Sequence, residues 1–173
     1  MKLIVVVDKN WAIGCQNDLL YDLPYDLSVN FKGKTLNKVI VVGSNTLKSF
    51  SKSKPLKNRV NVVLCNTGEV FEGCIMAQTT EELFEKLSLY NGDDVFVCGG
   101  ASIYKLLYPY CSEAIITKVE AQTPDATAFM VNLDKEKGWK LKEQSAPMLD
   151  NGYTIRFCTY INENPLPYGK RDK

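Results

Sequence analysis

Val95-Phe96-Val97-Cys98-Gly99-Gly100-Ala101-Ser102-Ile103-Tyr104 is the stretch on which the fold turns. Its first four residues are apolar throughout and two glycines follow. Ile103, Leu106 and Leu107 then recur at helical spacing until Pro109 ends the run. This order reads as strand, tight turn and helix. A strand with no polar face is covered on both sides, as in a parallel sheet packed between helices.

Four further runs share this character, at residues 3–7, 39–42, 60–64 and 114–119, and each is rich in β-branched residues. Helical signals lie between them. Pro24-Tyr25-Asp26-Leu27 starts a helix that carries Leu27, Asn30 and Phe31 and is expected to end near Gly33. Ser44 or Asn45 can cap a short helix reaching Phe50. Thr79-Thr80-Glu81-Glu82 forms a capping-box start to an amphipathic helix with Leu83, Phe84 and Leu87, expected to end by Asn91-Gly92. Past residue 140 the pattern changes: Asp150-Asn151-Gly152 leads into residues 153–160, and Asn-Gly between strand-like runs signals a hairpin. The expected fold is α/β, a single domain with a mostly parallel twisted central sheet, an antiparallel C-terminal hairpin and helices on both faces. The domain is expected over residues 1–162, with 163–173 as a loose C-terminal tail.

Composition narrows the function. The 173 residues suit one domain with a core of its own. Lys and Arg number 21 against 20 Asp and Glu, a net charge of +1, so no nucleic-acid partner is expected. A basic cluster at Lys48, Lys52, Lys54, Lys57 and Arg59 reads either as a solvated loop or as a local site for phosphate or carboxylate. Histidine is absent, which removes imidazole triads, Cys-His dyads and imidazole zinc sites. The six cysteines form no C-x-x-C pair, so no metal site is expected, and free thiols suit a reducing, cytoplasmic compartment. The first apolar run, residues 3–7, is too short for a membrane span and reads as a buried strand.

Two turns can hold an anion. Gly99-Gly100 and Val42-Gly43-Ser44-Asn45-Thr46 both join a strand end to a helix start, where free N–H groups point outward. Each alone is also an ordinary tight turn. Together they suggest one extended nucleotide across the sheet edge. Asp26 has two readings as well. It can balance the dipole of its helix, or it can be a lone acid in an apolar pocket whose burial raises its pKa enough to relay a proton.

The chain resembles the dihydrofolate reductase family. The resemblance is carried by Ile13-Gly14, Asn17, Leu23-Pro24, Asp26-Leu27, Phe31-Lys32, Thr35, Gly43 with Thr46, Leu56 with Arg59, Cys98-Gly99-Gly100 with Tyr104, and Thr117, in order along residues 3–129. It implies reduction of 7,8-dihydrofolate to tetrahydrofolate with NADPH as cofactor, by a cytoplasmic monomer that binds dihydrofolate and antifolate inhibitors and has no membrane partner. Asp26 would promote protonation of pterin N5, with Thr117 supporting it and Tyr21 in the catalytic group. Substrate would meet Ile4, Val5, Val6, Leu27, Phe31, Lys32, Phe50, Leu56, Cys98 and Tyr104, with Arg59 forked onto its α-carboxylate. The cofactor would meet Val6, Ile13, Gly14, Asn17, Leu19, Gly43, Ser44, Asn45, Thr46, Leu64, Cys65, Asn66, Gly99, Gly100, Ala101, Ser102, Ile103 and Tyr104. Residues 15–23 would be the loop that closes over the nicotinamide. The Gly99–Gly100 peptide is expected to be cis.

Three positions depart from the family pattern. Leu20-Tyr21 stands where the family has Pro-Trp, and Ser44 where it has an arginine for the 2′-phosphate, a loss that Lys48, Lys52 or Asn66 could offset. The acid and threonine after the fifth strand appear as Asp125-Ala126-Thr127, with the acid displaced by one. A pyrimidine-type reductase of the same fold and a catalytically weak nucleotide-binding protein are the competing readings.

Overall fold

The computed structural model describes residues 1–16, 18–50 and 53–169. All five apolar runs are strands: β1 (Lys2–Val7), β4 (Val39–Gly43), β5 (Val60–Leu64), β7 (Val95–Gly99) and β8 (Glu113–Val119). Four short strands lie among or just beyond them: β2 (Ala12–Cys15), β3 (Asp18–Leu19), β6 (Ile75–Ala77) and β9 (Ala128–Phe129). The chain closes with β10 (Trp139–Gln144), β11 (Met148–Asp150) and β12 (Tyr153–Asn162).

Among the described residues the main sheet runs β10-β12-β8-β1-β7-β4-β5-β6, with β11 added against β12. From β8 to β6 every pairing is parallel, while β10, β11 and β8 pair with β12 antiparallel. The expected C-terminal hairpin forms between β11 and β12. Asn151 (φ 50°) and Gly152 (φ 83°) both take left-handed backbone there, which a two-residue turn matched to strand twist requires.

Side-chain alternation sorts the helices onto two faces. Leu3, Val5, Val7, Val41 and Val97 point into one core with Leu83 and Leu87 of α3 (Thr80–Leu87) and Ile103 and Leu107 of α4 (Ala101–Leu107). On the opposite face Val42 and Val63 pack on Leu47 of α2 (Ser44–Ser49), and Ile4, Phe96 and Ile115 pack on Phe31. Each fully buried aliphatic side chain contributes about 1.5–3 kcal/mol of transfer free energy.

Several expectations are corrected. The helix that starts at Pro24 ends just past Gly33, at Thr35, but is not a plain α-helix. It holds a π-helical stretch, Asp26–Phe31, and continues as α1 (Lys32–Thr35). Neither Ser44 nor Asn45 caps α2: Gly43 is the cap residue, and its helix start has no side-chain acceptor. The Thr79 hydroxyl does cap α3, accepting from Glu82 N at 3.1 Å, but the helix ends at Leu87. Asn91 caps a separate 3-10 turn, Gly92–Asp94. Residues 163–169, expected as a tail, are exposed apart from Tyr168 and touch the domain through single contacts. Leu166 N donates to the Pro109 carbonyl at 2.9 Å, and the Tyr168 ring lies 5.7 Å from that of Phe84. The strands β2, β3, β6 and β9 were not expected.

Candidate active site

The sheet opens where the site lies. β1 pairs with β7 only at Lys2–Phe96 and Leu3–Val97, whereas β1 stays paired with β8 up to Val7. The two middle strands therefore part at Ile4 and Cys98, at the carboxyl ends of the parallel strands, where open α/β sheets bind ligands. A cavity of about 1620 Å³ fills this gap and extends over both glycine turns. That is room for two sizeable ligands.

Asp26 forms part of the wall and is 5% exposed. The Thr117 hydroxyl donates to its Oδ1 at 2.6 Å, and the Asn30 amide donates to the same oxygen at 3.1 Å. Asn30 also reaches Thr117 Oγ1 at 3.3 Å. Behind the carboxyl, Asp150 accepts from Tyr25 N at 3.1 Å and from Asp26 N at 2.8 Å. Burial raises the Asp26 pKa above the ordinary carboxylate range. The two donors pull it back down, and the Asp150 charge adds to the rise. No buried side-chain N or O among the described residues lacks a partner, and Oδ2 has no protein donor there, so this oxygen opens to the cavity.

Most expected substrate residues line the same cavity: Ile4, Val5, Val6, Leu27, Phe31, Phe50, Leu56, Cys98 and Tyr104. Tyr104 is buried and donates its hydroxyl to the Ile4 carbonyl at 2.7 Å. Burial raises its pKa, so it remains a donor. Two expected residues stand outside the wall. Lys32 is exposed on the outer side of its helix. Arg59 sits beyond Leu56, its Nε donating to Thr35 Oγ1 at 3.2 Å and its Nη1 to the Lys57 carbonyl at 2.8 Å. Tyr21 lines the cavity, but its hydroxyl meets Thr123 Oγ1 at 2.9 Å and donates to Asp8 Oδ2 at 3.5 Å. Its hydroxyl is thereby engaged in fastening the loop.

The turn residues suit a dinucleotide. Gly43, Ser44, Asn45, Thr46, Gly99, Gly100, Ala101, Ser102 and Ile103 all line the cavity, with Ile13, Gly14, Leu19, Leu64, Cys65 and Asn66 around them. Neither α2 nor α4 has a side chain capping its start, in contrast with α3, so their first N–H groups are free for an anion. The turns also face each other closely. A Cβ on Gly100 would lie 3.2 Å from Thr46 Oγ1, and one on Gly43 would lie 3.1 Å from Ile103 Cγ1. The Gly99–Gly100 peptide is cis, as expected, and Gly99 has φ 117°, a conformation open to glycine. Thr127 of the displaced Asp-Ala-Thr segment accepts from Gln16 N at 2.9 Å and so holds the loop next to Gly14.

At the far end of the cofactor groove the wall holds Ser44, Cys65, Asn66, Gln78, Thr79, Thr80 and Glu81, and no Lys or Arg lines the cavity among the described residues. Lys48 is paired with Glu69 at 3.0 Å. Asn17 and Lys52 lie outside the described residues. Sequence reasoning missed Asn30, Asp150 and the Gln78–Glu81 segment of the wall. The Asn30 signal was present as a polar residue four positions after the acid on one helix.

All six cysteines are free. No group of acid and thiol ligands that could hold a metal occurs among the described residues, and no helix there is long and apolar enough to cross a membrane.

Comparison with known proteins agrees with this geometry. The family model described as dihydrofolate reductase matches residues 1–162. The chain is 32% identical over 172 residues to the dihydrofolate reductase of Bacillus subtilis, covering 98% of each. It is 30% identical over 176 residues to dihydrofolate reductase type 9 of Escherichia coli, covering 96% of this chain and 95% of the relative. The solved structure of dihydrofolate reductase from Enterococcus faecalis complexed with NADP(H) and RAB-propyl superposes with a TM-score of 0.77 at 27% identity, covering 92% of this chain and 94% of that one. This similarity decides between the readings the sequence leaves open: the chain belongs to the dihydrofolate reductase family, the enzymes that reduce dihydrofolate with NADPH.

Proposed function

We propose that in this reductase Asp26 is the acid that binds the pterin ring and promotes protonation of N5, and that the cavity between β1 and β7 holds dihydrofolate against NADPH. The observation that carries the reading is a buried carboxyl in the cavity wall, one of whose oxygens is held by Thr117 and Asn30 while the other faces the cavity. Bound NADPH supplies the hydride, so the protein's work is placement, exclusion of water and control of one proton.

The other residues divide by position. Val5, Val6, Leu27, Phe31, Phe50 and Leu56 are the apolar walls for the pterin and its aryl tail, and the carbonyls of Ile4 and Cys98 orient the ring. Arg59, held by Thr35, is available at the outer end for the α-carboxylate of the substrate, which its fork geometry suits. Lys32 is a solvent-side charge for the same tail. Gly99 to Ser102 and Gly43 to Thr46 hold the pyrophosphate and the nearby ribose. Leu64, Cys65 and Asn66 flank the adenosine end, and Ile13, Gly14 and Leu19 cover the nicotinamide. Tyr21, tied to Thr123 and Asp8, is a positioning residue for that covering loop. Residues 1–162 form the catalytic domain, and the enzyme acts as a cytoplasmic monomer open to diaminopyrimidine antifolates.

Purified protein given dihydrofolate and NADPH is expected to consume the cofactor's absorbance, and a diaminopyrimidine is expected to stop it. Absence of turnover in a folded preparation, with no antifolate binding, contradicts the reading.

A further inference from the structure

The helix carrying Asp26 is not a plain α-helix. Over Asp26–Phe31 it is wound as a π-helix, and the N–H of Lys32 bonds the Leu27 carbonyl five residues back. An α-helix sets residues three and four apart on one face. The wider turn adds the fifth, so Asp26, Asn30 and Phe31 all reach the cavity wall. Wide turns of this kind recur at functional sites. Here the fourth residue sets a buried amide, 7% exposed, on a buried acid, and the wide turn keeps the fifth, Phe31, on the same wall. The Asn30 amide spans both partners, 3.1 Å to Asp26 Oδ1 and 3.3 Å to Thr117 Oγ1, and Thr117 donates to that same Oδ1.

We propose that Asn30 is a positioning residue for the reaction: its amide, carried on the π-turn, holds Asp26 Oδ1 together with Thr117 and so fixes the orientation in which the carboxyl meets the pterin. The proposal rests on the reading of Asp26 as the acid. Asn30 acts through Asp26 and needs no contact with substrate of its own. It also opposes two influences that favour the neutral acid, burial and the facing carboxyl of Asp150 on β11. The other group on Asp26 from outside the helix, Thr117 on β8, is a neutral hydroxyl. A donated hydrogen bond favours the charged form of a carboxyl, so loss of the amide shifts the acid's titration upward in pH.

The test follows the carboxyl directly. The full chain, without ligand, is labelled with carboxyl carbon-13 aspartate, and the Asp26 resonance is identified by its absence in Asp26→Asn. In Asn30→Leu, close in size and without donors, the Asp26 midpoint is expected to rise by about one pH unit. The low-pH limb of kcat is expected to move with it. An unchanged midpoint in folded Asn30→Leu overturns the proposal. A second measurement needs no variant of Asn30. In the unsubstituted protein the side-chain N–H resonances of Asn30 are expected to titrate with the Asp26 midpoint, and an amide indifferent to that titration overturns the proposal as well. The two readings fail separately. Retained turnover in Asp26→Asn removes the acid assignment, whereas an active, Asp26-dependent enzyme with an unresponsive Asn30 removes only the role of Asn30.

Discussion

An acid inside an apolar wall is stable in its charged form only if donors reach it, and at Asp26 both donors meet one oxygen. The balance still leaves the folded-state pKa raised, with burial the largest cause. The folded protein therefore holds this proton more tightly than the unfolded chain does. Stability from this group is fully present below the ordinary carboxylate pKa and is lost as pH rises through the raised value. Asp26→Asn keeps an acceptor for Thr117 and Asn30 and removes the charge facing Asp150. It is expected to be about 1 kcal/mol more stable than the parent at neutral pH, a gain in Tm of about 2–4 °C. The difference should close as pH falls through the ordinary carboxylate range, and thermal unfolding at several pH values reads it. At the cofactor end, Ser44 stands in a wall without Lys or Arg among the described residues. Ser44→Arg is expected to raise kcat/KM for NADPH over NADH by about tenfold, through a charge-assisted bond worth about 1.5–3 kcal/mol before its ordering cost. Parallel assays with the two cofactors measure this. Asp26 was legible in the sequence only through its neighbours, Leu23-Pro24 before it and Thr117 far along the chain. The Asn30 signal was present but not decisive, because a polar residue four after an acid also describes a solvated helix face.

Elements were legible where their chemistry was continuous. The five central strands show as runs dominated by apolar and β-branched residues because both of their faces are covered. The small sheet of β3, β2 and β9 is built from strands of two to four residues, with Gly14 and Leu19 in its ladder, and carries no such run. β6 is equally short. The π-turn left no periodic signature, since apolar spacing alone does not separate a turn closed at four residues from one closed at five. The Thr79 start of α3 was legible because its capping chemistry is local: Thr79→Ala is expected to cost about 1 kcal/mol and to lower Tm by about 2–4 °C in thermal unfolding. The segment after β2 is tied at Tyr21 to Thr123 and at Gln16 to Thr127. Tyr21→Phe removes one tie and no reacting group, so kcat is expected to fall by less than about tenfold, the scale of a gating change. A loss as large as that of Asp26→Asn would return Tyr21 to the chemistry.

Across the whole molecule, the parting of β1 from β7 is what converts a sheet edge into a cavity. The walls come from both halves of the chain: the acid from the first helix, its threonine from β8, and the nucleotide cradle from the ends of β4 and β7. Ligands that span these parts bind the folded state alone. Saturation with NADPH at about a hundred times Kd is expected to add about 2.7 kcal/mol of stability, a rise in Tm of about 5–11 °C. The sequence showed the cradle as two glycine turns but not the size of the opening, because the point where a ladder ends is set by side chains packed on both strands. In the proposed function one proton, controlled by Asp26, governs turnover. The pH profile of Asp26→Asn tests it most directly. At neutral pH kcat is expected to fall by about 10²-fold or more, recovering in part at low pH where solvent protonates the substrate. A profile that matches the parent at every pH contradicts the account.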